Sequence, residues 1–295
     1  MIDQSRWVIY LKLVGAAVIW GGTFIAGRLL AQEVGAFSAA FLRFAIASLG
    51  LLGLSYWIER GWPALKWSQW QLVLWLGLTG VFAYNVLFFL GLKTVPASRA
   101  ALIVASNPIA IALLAAMIFQ EKLTRLKIMG IGLSISGAAI VISKGNPLSL
   151  LTTGVSQGDL FLLGGLACWA AYTLLGKQTV RVMTPLAATT YTCWVGTIAL
   201  FPLALTEGLL SHLHQYSASA WGSVAYLGIF GTVMAFMWYS EGIQAIGAAR
   251  AAIFINLVPP SAILLAAMLL HEPITPTLLL GGSLVITGIV CTNRG

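Results

Sequence analysis

Apolar stretches of about 18–23 residues recur along the whole chain, separated by short connections rich in Gly, Pro, Ser, Thr and charge. They fall at 8–30, 36–58, 70–92, 97–119, 126–143, 158–176, 185–207, 221–241, 248–270 and 275–292. Each is long enough to cross a hydrocarbon core of roughly 30 Å as a helix. The alternating polar–apolar signature of a membrane β-barrel is absent. The pattern predicts an all-α integral membrane protein of ten transmembrane helices. The longest connection, near 143–158 (SKGNPLSLLTTGVSQG), divides them into two units of five, 8–143 and 158–292.

The two units echo each other. Gly91–Thr124 aligns with Gly242–Thr275 at an offset of 151 without a gap, and 13 of 34 positions are identical. The identities include Arg99/Arg250, Pro108/Pro259, Met117/Met268 and Glu121/Glu272. The same offset pairs Gly77 with Gly228, Gly80 with Gly231, Gly130 with Gly281 and Gly137 with Gly288. At an offset of 149, VIWGGTFIAGR (18–28) matches ACWAAYTLLGK (167–177), pairing Trp20 with Trp169.

Five is an odd number of crossings, so the second copy enters the membrane upside down. The charges agree with this. Lys122, Arg125 and Lys127 in one connection become Pro273, Pro276 and Leu278 in its counterpart. Counting Lys and Arg in alternate connections gives ten on the side of the termini and four on the other. Basic residues accumulate on the cytoplasmic side, which places both termini in the cytoplasm. Inverted repeats are a transporter architecture, with the substrate site near the midplane where the copies meet.

Composition removes the soluble alternatives. The chain is 59% hydrophobic and 8% charged, with a mean hydropathy of +0.94, whereas soluble domains carry about 25% charge. The net charge of +8 reads as orientation against an anionic leaflet, and no basic run with interleaved aromatics points to nucleic acid. Cys168, Cys193 and Cys291 all lie in apolar runs and read as small buried hydrophobes, not as a disulfide framework. The N-terminal run is too long for a signal peptide's apolar core and is taken as an uncleaved first span.

The chain resembles a ten-span member of the drug/metabolite transporter superfamily, of the type with two EamA domains. The residues that carry the resemblance are WGGTF at 20–24, LRF at 42–44 and ASRAAL…NP…E across 97–121. Their companions in the second unit are GD at 158–159, CWAAYT at 168–173 and AARAAI…PP…E across 248–272. The resemblance covers nearly the whole chain and implies a secondary transporter of the cell inner membrane. It implies a central cavity lined by spans 1, 3, 4, 6, 8 and 9, with spans 5 and 10 peripheral. Members include exporters of amino acids and other metabolites, so export of amino acids or their derivatives is the leading expectation. Efflux of hydrophobic cations or drugs is the alternative, although that chemistry wants a membrane-embedded carboxylate. A membrane enzyme or a non-transporting scaffold is the competing class.

The candidate chemistry is sparse. His212, His214 and His271 lie in loops or at a span end, without metal-ligand spacing, and no catalytic set converges. No metal, no cofactor and no enzymatic activity are expected; the expected partners are a small-molecule substrate and the bilayer, with the chain a monomer or homodimer. Pro108 and Pro259 stand at the centres of related spans, with Pro260 beside the second, and each removes a backbone N–H. They are bends for packing or hinges for alternating access. Ser106, Asn107 and Asn256 lie close by. Trp20 with Thr23, and Trp169 with Tyr172 and Thr173, repeat one arrangement in spans 1 and 6; Tyr84 and Asn85 add polarity in span 3. These are expected to line the cavity, whereas Trp238 and Tyr239 also suit interfacial anchoring. Arg43, well inside span 2, is a functional candidate by default or a brace to backbone carbonyls at helix ends. Span 7 has no basic counterpart to it. Glu121 and Glu272 read as caps or loop braces, and Glu241 is the one carboxylate placed to carry a coupling proton. The glycine faces of spans 5 and 10 serve either dimerisation or packing within the chain.

Overall fold

A computed structural model describes residues 6–62, 64–120, 124–146, 155–179 and 182–294. Glu121, Lys122 and Arg181, and most of the connection around 147–154, lie outside the described residues. Those described are helical throughout, with no strand among them. Among the described residues nine helices are long and apolar enough to cross a membrane: α1 (Trp7–Glu33), α2 (Ala36–Glu59), α3 (Trp67–Leu92), α4 (Ala97–Ile118), α5 (Arg125–Ile142), α6 (Gln157–Thr179), α7 (Pro185–Thr206), α8 (Ala218–Ile246) and α9 (Arg250–Leu269). The tenth apolar run forms a shorter apolar helix, α10 (Pro276–Thr292). Helices dominate because hydrocarbon offers no partner to a free backbone N–H or carbonyl. Large apolar side chains such as Leu49, Ile198, Leu264 and Met268 stand exposed on the outer faces, and Trp7, Trp57, Trp62 and Trp67 stand exposed at helix ends.

Four helices are irregular, and they form two related pairs. Helix α3 carries a π-helical stretch at Gly77–Ala83, and α8 carries one at Tyr226–Met234. Helix α4 breaks between Ala97–Ala105 and Asn107–Phe119. In the same way, α9 breaks between Ala248–Ile255 and Val258–Leu269. The prolines are therefore not mid-helix kinks. Each stands in the first turn of a new helical segment, where a missing N–H removes no helical bond. The upstream segments close with tighter bonds, Ser106 N–H to the Ile103 carbonyl (3.1 Å) and Asn256 N–H to the Ile253 carbonyl (3.2 Å).

Contacts between the halves are reciprocal. A Cβ added to Gly77 would lie 3.0 Å from the Thr192 carbonyl oxygen of α7, and one on Gly228 would lie 3.0 Å from the Arg43 carbonyl oxygen of α2. Gly80 is covered by Tyr172 and Gly231 by Thr23, again at matching positions. Ser48 of α2 and Thr197 of α7, themselves 149 apart, share a hydrogen bond of 3.0 Å. In the peripheral pair, a Cβ on Gly137 would fall 2.5 Å from the Gly281 carbonyl oxygen, and one on Gly288 would fall 2.5 Å from that of Gly130. Between them Ser134 Oγ donates to the Val285 carbonyl at 3.1 Å. The glycine faces of α5 and α10 are consumed by packing within the chain.

Carboxylates stitch helix ends together. Glu207 at the end of α7 accepts from the Ser38 (2.8 Å) and Phe37 (3.3 Å) backbone N–H groups that open α2. Glu272 accepts from Ala97 N–H (2.8 Å) and Ser98 N–H (3.0 Å) at the start of α4, so this residue is a cap. Glu33 accepts from Ser217 before α8, and Thr184 before α7 donates to Glu59. A carboxylate at a helix N-terminus satisfies orphan donors and meets the positive end of the dipole.

Candidate functional site

The polar residues predicted within the spans fall into three groups. In the first, on α1 and α8, Trp20 Nε1 donates to the Gly231 carbonyl at 3.1 Å, and its ring meets Tyr239 edge-on with centroids 5.3 Å apart. Thr23, buried, donates to the Trp20 carbonyl at 2.6 Å, and Tyr226 donates to the Ile19 carbonyl at 3.0 Å. Trp238 lies over Gly15 of α1. Trp238 and Tyr239 are therefore packed against α1, where the open side of Gly15 gives the Trp238 ring a flat seat.

The second group is the equivalent on α6 and α3. Trp169 packs against Tyr84 and Tyr172, with centroids 5.0 and 5.1 Å away, and Tyr84 stacks on Phe88. Thr173 donates to the Trp169 carbonyl at 2.9 Å. Trp20 and Trp169 thus anchor separate aromatic clusters.

The third group lies between the two π-helical stretches. Arg43 of α2 donates through Nη1 to Asn85 Oδ1 at 3.0 Å and through Nε to Thr232 Oγ1 at 3.4 Å. Asn85, 1% exposed, donates from Nδ2 to the Val81 (2.9 Å) and Gly80 (3.2 Å) carbonyls, and Thr232 donates to the Leu227 carbonyl at 2.9 Å. A widened π turn leaves carbonyls poorly satisfied by the helix itself. Here side chains from the same helix fill them, which turns the remaining acceptor of each toward Arg43. The expectation that Arg43 braces carbonyls at helix ends is corrected: its partners are side chains inside the spans. Thr232 was not singled out from sequence. The signal available was its alignment with Val81, a hydroxyl where the first unit has a hydrocarbon.

The residues at the helix breaks stand apart from these groups. Ser106 is buried and donates to the Leu102 carbonyl at 3.4 Å. It opens on an apolar cleft of about 310 Å³ between α4, α5 and α6, lined also by Ala110, Ser134 and Leu166. The Asn107 side-chain oxygen is buried and has no hydrogen-bond partner among the described residues. Asn256 is half-buried at the end of the first segment of α9, and Pro259 is buried while Pro108 and Pro260 are half-buried. A second cleft of about 780 Å³ lies among Trp67, Gln71, Trp75, Gln178 and Val195. The Arg43 group lines neither cleft.

Every described carboxylate is committed. Glu33, Glu59, Glu207 and Glu272 serve helix ends as above. Arg99 of α4 pairs with Asp159 of α6, which Ser156 also contacts; Asp159 is fully buried. Lys12 of α1 pairs with Glu241 of α8 at 2.5 Å, so Glu241 is held in an ion pair. Lys12 was not picked out from sequence, and Asp159 was noted only within the GD at 158–159 and not as a partner of Arg99, because each lies within a turn or two of a span end, where charge is ordinary.

A bundle of long apolar helices whose two halves meet through matching contacts, around a polar layer without a catalytic set, is a multi-pass membrane transporter. The chain belongs to the EamA-like transporter family, which matches residues 7–143 and again 156–294. It is 32% identical over 289 residues to the uncharacterized transporter YyaM of Bacillus subtilis, covering 97% of this chain and 93% of that one. It is 29% identical to a probable terminal-alkyne amino-acid exporter of Streptantibioticus cattleyicolor, over 99% of this chain and 94% of the other. A crystal structure of a protein only 20% identical aligns over 97% of this chain and 96% of that chain with a TM-score of 0.61, which shows the shared fold. Family and relatives are transporters, not enzymes. Membership implies a bilayer and a small-molecule substrate.

Proposed function

We propose that the chain is a secondary transporter that exports small metabolites, amino acids or their derivatives, across the inner membrane by alternating access. In this reading ten helices form two inverted units, 8–143 and 158–292, around a central site, with both termini in the cytoplasm. The observation that carries it is the reciprocal meeting of the halves at midspan. Thr23 covers Gly231 as Tyr172 covers Gly80, with aromatic, amide and hydroxyl groups at that level. Such lining suits an amphipathic solute of amino-acid size, and the similarity to a probable amino-acid exporter supports the same class. Efflux of cations lacks support, because all described carboxylates are engaged at helix ends or in ion pairs.

The test is a solute panel in vesicles containing the full chain, with and without a pH gradient. Selective flux of amino acids is the expected result. Selective flux of lipophilic cations would replace this reading with drug efflux, and flux of nothing in the panel by a folded protein would favour a scaffold.

A further inference from the structure

Arg43 is a permanent cation inside a membrane helix, and its two hydrogen-bond partners, Asn85 and Thr232, are both neutral. The two ion pairs among the described residues, Lys12–Glu241 and Arg99–Asp159, do not involve it. A guanidinium has five N–H donors, of which these contacts use two. Nη2 has no hydrogen-bond partner among the described residues, yet it is not counted among the enclosed, unpartnered polar atoms, and the residue is only half-buried. One edge of the guanidinium is therefore unpaired and not completely enclosed. Tyr84 and Cys193 lie within electrostatic reach of it.

A charge held in a low-dielectric interior without a counter-ion is costly. Asn85 and Thr232 lower that cost but do not cancel the charge. They also fix the side chain, because each is anchored to carbonyls of a π-helical stretch by its own donor. The guanidinium also lies over the Phe44 ring, 5.0 Å from its centroid, but the opposite half makes the matching helix contact without a cation. Thr192 occupies the matching place on α7, and its backbone makes the same close approach to Gly77 that Arg43 makes to Gly228. The fold uses the backbone at both positions and the charge at only one.

We infer that Arg43 is the anion anchor of the transport site: its free edge takes the carboxylate of the solute, so the cargo is a carboxylate-bearing molecule. Asn85 and Thr232 are positioning residues that hold the guanidinium between α3 and α8. The planar fork matches a carboxylate with two parallel hydrogen bonds, which an ammonium cannot reproduce. This inference rests on the transporter reading and names the substrate class for it.

The experiment uses the purified full chain in proteoliposomes loaded with leucine, phenylalanine or serine, each also supplied as its primary amide and as the amine lacking the carboxyl group. The wild type should move at least one of the amino acids and leave its amide and amine behind. Arg43→Gln should lower that flux about ten- to hundredfold, the loss of a charge-assisted contact, and Arg43→Lys should recover part of it. Gel filtration and thermal melting establish that each variant is folded. Should Arg43→Gln fail to fold, thermal stabilisation of the wild type by the amino acid but not by its amide carries the same test. Equal flux of acid, amide and amine would overturn the inference while leaving the transporter reading intact, as would undiminished amino-acid flux in Arg43→Gln. Flux of none of the solutes by a folded wild type would remove the transporter reading and the anchor with it.

Discussion

At the scale of single residues, the site depends on neutral groups holding a charge. Asn85 is the pivot: its oxygen faces Arg43 and its nitrogen serves two π-turn carbonyls. Asn85→Asp would place a carboxylate against the guanidinium with almost no change of shape. The new internal ion pair would neutralise Arg43 and compete with any carboxylate solute. Amino-acid transport should be lost in a protein that gel filtration still shows to be folded, with some fall in melting temperature because the Gly80 and Val81 carbonyls lose their donor. A variant that transports normally would show that the guanidinium is not the anchor. Asn85→Leu should behave differently, costing about 1–3 kcal/mol because two carbonyls and a cation lose their partner, read as a lowered melting temperature. Arg43 and Asn85 were both visible in the sequence as polar residues in apolar runs. Thr232 was not, because an isolated Thr in a membrane helix usually bonds its own backbone, and only the folded chain puts it opposite Arg43.

At the scale of elements, the irregular helices come in related pairs. The breaks in α4 and α9 were legible, since proline cannot sit in a helix interior without cost. Their form was not, because a proline in the first turn of a restarted helix looks the same in sequence as one at a kink. The π-helical stretches went unread. A widened turn leaves no trace in the periodicity of a run that is apolar on every face, although Gly77/Gly228 and Gly80/Gly231 marked the places. If the breaks serve movement, Pro108→Ala with Pro259→Ala and Pro260→Ala should let the segments join into continuous helices and stiffen both. Transport should fall several-fold with membrane abundance unchanged; undiminished transport would reduce the breaks to packing features.

At the scale of the whole molecule, the hydrophobic pattern and the duplication carried most of the architecture. The interlocking of the halves was beyond them. Helix α1 packs on α8 and α9 through Gly15 and Gly21, whereas α6 packs on α3 through Gly80 and Gly91. Each half thus lends its first helix to the other, a pairing set by shape between residues about 70 to 240 positions apart. Orientation is the remaining property of the whole chain, and charge decides it. Ten basic residues on the side of the termini against four on the other are the basis on which we propose that this side is cytoplasmic. In a chain with Cys168, Cys193 and Cys291 replaced, Lys66→Cys and His214→Cys put exposed thiols on opposite faces. A membrane-impermeant maleimide should label the cysteine at 214 in intact cells and the one at 66 only after permeabilisation. The reverse pattern would invert the chain in the membrane. It would also put the Lys12–Glu241 pair at the outer end of the bundle and the Arg99–Asp159 pair at the inner end.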